Sequence, residues 1–292
     1  MWFNASKPDM TVQRTPHTDQ VESLTIEAGR ADAHYWRDLW RFRELLTFLA
    51  WRDILVRYKQ TVIGVAWGLI RPLLTMLVFT IIFGTLANLP SHGVPYPVLV
   101  FSALLPWQFF ANALSDSSNS LLSNAGMISK VYFPRLIVPA SAIVVSLVDF
   151  AITFVLLLAV MLWYGIYPDW RMLTLPVFVL LALATSLGAG LWFAALNTKF
   201  RDFRYIVPFV VQFGLYVSPV GFSSEIVPEK WRLLYSLNPM VAVIDGFRWA
   251  VIGGSAKIYW PGFITSVLFI SALLFSGIMY FRKTEKTFAD VI

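Results

Sequence analysis

LIVPASAIVVSLVDFAITFVLLLAVMLWY, residues 136–164, holds a single charged side chain, Asp149, in its whole length. A helix rises about 1.5 Å per residue, so a run of this length exceeds a hydrocarbon core of roughly 30 Å. Lipid offers no partner for backbone N–H and C=O groups, so the run has to close its hydrogen bonds internally as a helix. Five further apolar runs flank it, at about 65–87, 97–117, 173–196, 205–222 and 259–281. The fold class expected is an all-α membrane protein of six transmembrane helices. The segments between the runs add an amphipathic interface helix and a re-entrant outer-side helix pair.

Composition narrows the functional classes. The chain is 58% hydrophobic and 14% charged over 292 residues, whereas a soluble domain carries about one quarter charged residues. Cysteine is absent, and His17, His34 and His92 lie outside the spans and far apart. Cysteine chemistry is therefore excluded, and a histidine metal site is not expected. The net charge of +6 follows topology rather than nucleic acid. If the six spans alternate, seventeen Lys and Arg fall on one side and five on the other. The positive-inside rule then places both termini in the cytoplasm.

Residues 1–35 read as a polar cytoplasmic tail. Residues 36–60 are too charged to span. Wound as a helix, they gather Arg37, Arg41, Glu44, Arg52 and Lys59 within roughly 80°, bordered by Trp36, Trp40, Trp51 and Tyr58. This pattern suits a helix lying in the headgroup plane, or one docked on a partner. The six-span membrane body then occupies 61–292. Between spans two and three, residues 124–135 mix Met127, Ile128, Tyr132 and Phe133 with Lys130 and Arg135. That mixture suits a docking surface or an interfacial turn. Residues 223–258 contain an apolar stretch, Met240 to Ile252, that is too short to cross. Pro228, Asn238-Pro239 and Gly253-Gly254 punctuate it as two short helices. They read as a pair dipping into the outer leaflet, or as a loop lying on the membrane.

Candidate functional residues lie on two helical faces. Span five carries Phe209, Gln212, Phe213 and Tyr216 at i, i+3, i+4 and i+7, and span two carries Gln108, Asn112, Ser115 and Asn119 at similar spacing. Aromatic rings beside amides suit a path for sugars, whose apolar ring faces pack while their hydroxyls exchange hydrogen bonds. Helix packing is the plainer use of the same residues. Asp149 reads as an interhelix contact, a polar wall of a path or a proton-coupling group. No G-x-x-x-x-G-K-[ST] loop occurs, so the chain carries no ATPase motif of that type. Neither G-x-S-x-G nor H-E-x-x-H is present.

Four segments resemble the permeases of ABC exporters for O-antigen and related polysaccharides, teichoic acids included. They are Arg57 to Trp67 continuing to Arg71-Pro72; Leu105-Pro-Trp-Gln-Phe-Phe with Ser129 to Leu136; Leu196 to Arg204 with Ser218-Pro219; and Leu237-Asn-Pro-Met240 leading to Asp245-Gly-Phe-Arg-Trp249. The resemblance runs from about Trp36 to the C-terminus. It implies a homodimer that joins two copies of a separate nucleotide-binding ATPase. ATP and Mg would sit on that partner, and this chain would bind no cofactor. It implies that Arg41, Arg52, Lys130, Tyr132, Phe133 and Arg135 face the ATPase. Spans one and five would line a channel between protomers. Asn238, Pro239, Asp245 and Arg248 would belong to its outer gate.

The expectation is therefore a non-enzymatic, multi-pass permease of the bacterial inner membrane. It would export a lipid-linked polysaccharide, with membrane lipids and no nucleic acid among its partners. The alternative is an ion-gradient-driven secondary flippase or exporter of glycolipids, which the scarcity of intramembrane acids and the lack of an evident repeat disfavour.

Overall fold

The computed structural model describes residues 31–59, 64–91, 93–200, 202–253, 256 and 258–288. The expected tail up to residue 30, together with Gln60 to Ile63, Arg201, Gly254 and Lys257, lies outside them. Among the described residues there are eleven α-helices and no strand. They are α1 (Ala31–Arg41), α2 (Arg43–Lys59), α3 (Gly64–Phe79), α4 (Tyr96–Ser123), α5 (Ala125–Ile128), α6 (Ile137–Trp163), α7 (Leu175–Lys199), α8 (Phe203–Val217), α9 (Glu229–Tyr235), α10 (Pro239–Ile252) and α11 (Trp260–Glu285). α3 continues as a π-helical stretch over Thr80–Leu86.

Five of these helical stretches are long and apolar enough to cross a membrane: Gly68–Leu86, Tyr96–Ser123, Ile137–Trp163, Trp170–Lys199 and Trp260–Glu285. The apolar run at 205–222 becomes α8, a helix of 15 residues. The basic stretch over 36–60 is helical but interrupted at Phe42, so α1 and α2 are separate elements.

α4 is the hub. Its apolar side chains are almost all buried, because α6 and α7 pack on it with α3, α8 and α10 around them. α4 and α6 are antiparallel: Phe109 meets Phe150 at 5.6 Å, while Asp116 lies beside Ser146 one end further on. α7 and α11 are parallel. Phe178 faces Phe263, Gly188 faces Gly277 and Trp192 stacks on Tyr280, so both chains advance in the same direction. A Cβ on Gly188 would stand 2.8 Å from the backbone of Leu274, so this approach requires glycine. Small residues of this kind let membrane helices pack backbone to backbone. Two parallel helices oblige the chain between them to return across the molecule; the described residues of that segment hold α8, of 15 residues, and α10, of 14.

Candidate functional site: a polar groove floored by α4

α4 turns one polar stripe out of the core. Gln108, Asn112, Ser115 and Asp116 face a groove of about 840 Å³, walled by α3 on one side and α8 on the other. α3 contributes Arg71 and Thr75; α8 contributes Gln212 and Tyr216. Trp107 forms part of the floor and positions α8. A Cβ at Gly214 would lie 2.6 Å from its ring, so the helices meet closely there.

The two faces marked in the sequence therefore converge in part. Gln108, Asn112, Gln212 and Tyr216 line one groove. Phe209 and Phe213 lie beside it on the exposed face of α8, stacked at 5.9 Å and 10°. Asn119 leaves the stripe: its Oδ1 accepts from Asn197 Nδ2 at 3.1 Å, which fastens α7 to α4. Hydroxyls and amides within a groove can exchange hydrogen bonds with a polar solute.

One end of the groove carries a cluster of opposite charges. Arg57, in the last turn of α2, pairs with Asp116 of α4 at 2.8 Å and also with Asp149 of α6. The Tyr58 hydroxyl donates to the other oxygen of Asp149. Burial disfavours the Arg57 cation, but its hydrogen bond to Asp116 and the charges of both aspartates outweigh this and raise its pKa. Burial, followed by the hydrogen bond to Asp149, pushes the Tyr58 hydroxyl well above the ordinary phenol range. Asp149 is thus an interhelix contact in this structure. The sequence offered its partner only as an arginine in a segment too charged to span.

The ABC-2 type transporter family matches residues 44–252.

The chain belongs to the ABC-2 type transporter family. It is 31% identical over 216 residues to the O-antigen export system permease protein of Myxococcus xanthus, covering 73% of this chain and 82% of that protein. It is 27% identical over 252 residues to the protein of the same description from Klebsiella pneumoniae, covering 85% and 95%. The polysialic acid transport protein of Escherichia coli is 23% identical over 243 residues, covering 80% of this chain and 91% of that protein.

In this ABC-2 transporter chain the groups expected at an ATPase divide between surface and interior. Lys130 and Tyr132 are exposed. Phe133 is buried with Leu49, Leu121 and Ile137, and so joins the connection to α2 and α4. Arg135 turns toward the end of α11: its backbone N–H donates to Glu285 Oε1 at 2.6 Å and its guanidinium to the Glu285 carbonyl. Arg52 donates to Asn124 Oδ1 at 3.0 Å, joining α2 to the start of the connection. Arg41 is exposed at the end of α1.

The other end of the molecule is built around Arg248. Asn238 caps α10 by accepting from the Met240 N–H at 3.0 Å, just ahead of Pro239 at the first helical position. The Asn238 amide also donates to Ser218 Oγ at 2.9 Å. Arg248 is buried and donates to three carbonyls: Leu99 at 3.2 Å, Phe222 at 2.7 Å and Val220 at 2.9 Å. It therefore staples α10 to α4 and to the turn that follows α8. Burial draws its pKa down to about 10, which leaves it charged. Asp245 stands one turn earlier, and burial pushes its carboxyl up to about 6.

Proposed function

We propose that this chain is the permease subunit of an ATP-driven exporter, moving a lipid-linked polysaccharide of O-antigen type across the inner membrane. It works as a homodimer with two copies of a separate ATPase, which holds ATP and Mg. The observation that carries the reading is the polar groove between α3 and α8. It has amides on its floor, an aromatic wall, and a rim of exposed apolar residues on both flanking helices that includes Leu74, Leu77, Phe209 and Phe213. A second copy laid against that rim would convert an open groove into an enclosed path. The Myxococcus and Klebsiella relatives, described as O-antigen export permeases, support the cargo class.

The same reading adds α8, fifth in chain order, to the five long apolar helices as a further span. Its 15 residues cover about 22 Å, shorter than the roughly 30 Å core. The parallel pairing of α7 with α11 supports the crossing, and a short span lining a polar path need not meet lipid along its whole length. α9 and α10 form the re-entrant pair at the outer end. α1, α2 and the exposed part of residues 124–135 face the ATPase in the cytoplasm, where both termini lie. ATPase closure would push on α2, whose Arg57 reaches the groove through Asp116 and Asp149. An ion-gradient carrier is disfavoured because those two carboxylates already share an arginine.

The test is reconstitution of the full chain with a candidate ATPase subunit. ATP-dependent movement of lipid-linked polysaccharide into the vesicle lumen is the expected result. Movement that needs no ATPase and follows an imposed proton gradient would overturn the reading.

A further inference from the structure

We infer that the diverging C-terminal ends of α7 and α11 form a binding site for the headgroup of an anionic phospholipid. The helices are held together by the Gly188–Gly277 approach and by Trp192 stacked on Tyr280 at 4.1 Å and 13°. Beyond that stacked pair they open into a recess of about 510 Å³. Lys199 enters it from α7 and Lys283 from α11. Both lysines are exposed, and neither has a carboxylate partner among the described residues. Thr198, Thr284 and Thr287 line the recess too, but their hydroxyls donate to the carbonyls of Ala194, Tyr280 and Thr284. The two ammonium groups and the Tyr280 hydroxyl are therefore the side-chain donors left to it, and the lysines bring two positive charges to one hollow.

An apolar stripe on the adjoining face of α11 favours a lipid over a soluble anion. On α11 the exposed residues Leu268, Ala272, Phe275 and Met279 form a stripe at helical spacing that leads to Lys283. An acyl chain along this stripe would bring its phosphodiester to the two lysines. A lone lysine at a helix end merely snorkels into water. Two lysines from separate helices over an aromatic floor instead make a basic pocket of the kind that holds lipid headgroups at a membrane face. The groove described above shares no residue with this recess. The inference rests on α7 and α11 crossing a bilayer and is independent of the cargo.

Occupancy would also steady the contacts just beyond. Arg282 lies over the Tyr35 ring of α1 at 4.6 Å, and Glu285 receives the Arg135 N–H. A lipid bridging Lys199 and Lys283 would fix the helix end that carries both.

The experiment is native mass spectrometry of the full chain in detergent, titrated with phosphatidylglycerol and, separately, phosphatidylcholine. Phosphatidylglycerol is expected to be retained preferentially. A lysine near an anionic surface contributes about 1 kcal/mol, so K199Q/K283Q should weaken retention by roughly 30-fold and each single change by roughly 5-fold. K199R/K283R, which keeps both charges, should retain the lipid and guards against a folding defect in the glutamine pair. Equal retention by K199Q/K283Q, or equal retention of both lipids by the parent chain, would overturn the inference. Displacement by millimolar inorganic phosphate or glycerol phosphate would reassign the recess to a free anion and overturn the lipid assignment.

Discussion

The Arg57 guanidinium pairs with the Asp149 carboxylate, joining the last turn of a helix too charged to span to the middle of α6. A carboxylate near the centre of a membrane helix costs about 2.5–3.5 kcal/mol on insertion scales. Here the compensating charge comes from outside the spans. Because Arg57 also holds Asp116 at 2.8 Å, one guanidinium ties α2, α4 and α6 together at the end of the groove.

Coupling between these residues is measurable. Arg57→Ala leaves two carboxylates facing each other, so it should lower the melting temperature of the detergent-solubilised protein more than Asp149→Asn does. In a double-mutant cycle of Arg57→Ala with Asp149→Ala the pair should show a coupling of about 0.5–1.5 kcal/mol, the range measured inside membrane proteins. Strict additivity of the two changes would show that the ion pair contributes nothing beyond its separate parts.

The groove makes a separable prediction about transport. Gln108→Leu combined with Asn112→Leu removes amides from its floor without emptying space. Export should fall by about tenfold, since a site built to hydrogen-bond hydroxyls loses about 0.5–1 kcal/mol for each of the two contacts it can no longer make. Val155→Ala, on the exposed face of α6, should leave export unchanged. The comparison is initial export rate at equal amounts of assembled complex. Unchanged export by the double variant would remove these amides from the path.

The long apolar runs were legible because 3.6-residue periodicity and bilayer thickness both act on single helices. Helix punctuation was legible for the same reason: Asn238 caps its own helix within two residues. The polar stripe on α4 was visible as spacing, but its division was not. Asn119 is taken by Asn197, 78 positions away, while Gln108 and Asn112 remain in the groove. Pairings over such distances depend on which helices become neighbours. Phe133 and Arg135 give the same lesson. Their residue types suited a docking surface, yet contacts with α2 and the end of α11 draw both inward. Asp149 looked nearly alone because its partners, Arg57 and Tyr58, lie 92 and 91 positions away on a helix outside the spans.

Arg248 should prove among the least replaceable residues of the end built around α10. Its fork serves three carbonyls from two separate segments. Arg248→Met removes that donor set from buried acceptors, each worth about 1–3 kcal/mol when left unmet. The expected loss is about 3 kcal/mol or more, read as a sharp fall in the yield of folded protein and in melting temperature. Arg248→Lys should recover little, because one ammonium cannot reproduce the guanidinium's planar fork. Full recovery by lysine would mean that the charge matters and the staple does not.

Asp245 makes the stability of this end depend on pH. Its carboxyl, near 3.8 when exposed, is pushed up to about 6 in the fold, chiefly by burial. The hydrogen bond to Ser224 and the charges of Arg248 and Arg232 pull the other way, and Glu225 reinforces the rise. A raised folded pKa means that the native state binds the proton more tightly than the unfolded chain. The stabilisation from this group is therefore complete below about pH 4 and is lost as pH rises through about 6. The full window is worth at most about 3 kcal/mol, of which the portion between pH 5 and 7 is accessible to thermal unfolding. Asp245→Asn cannot ionise, so its melting temperature should fall less than that of the parent protein between pH 5 and pH 7. Parallel curves for the two proteins would mean that Asp245 is already charged at pH 5, with Arg248 and Arg232 overcoming the cost of its burial.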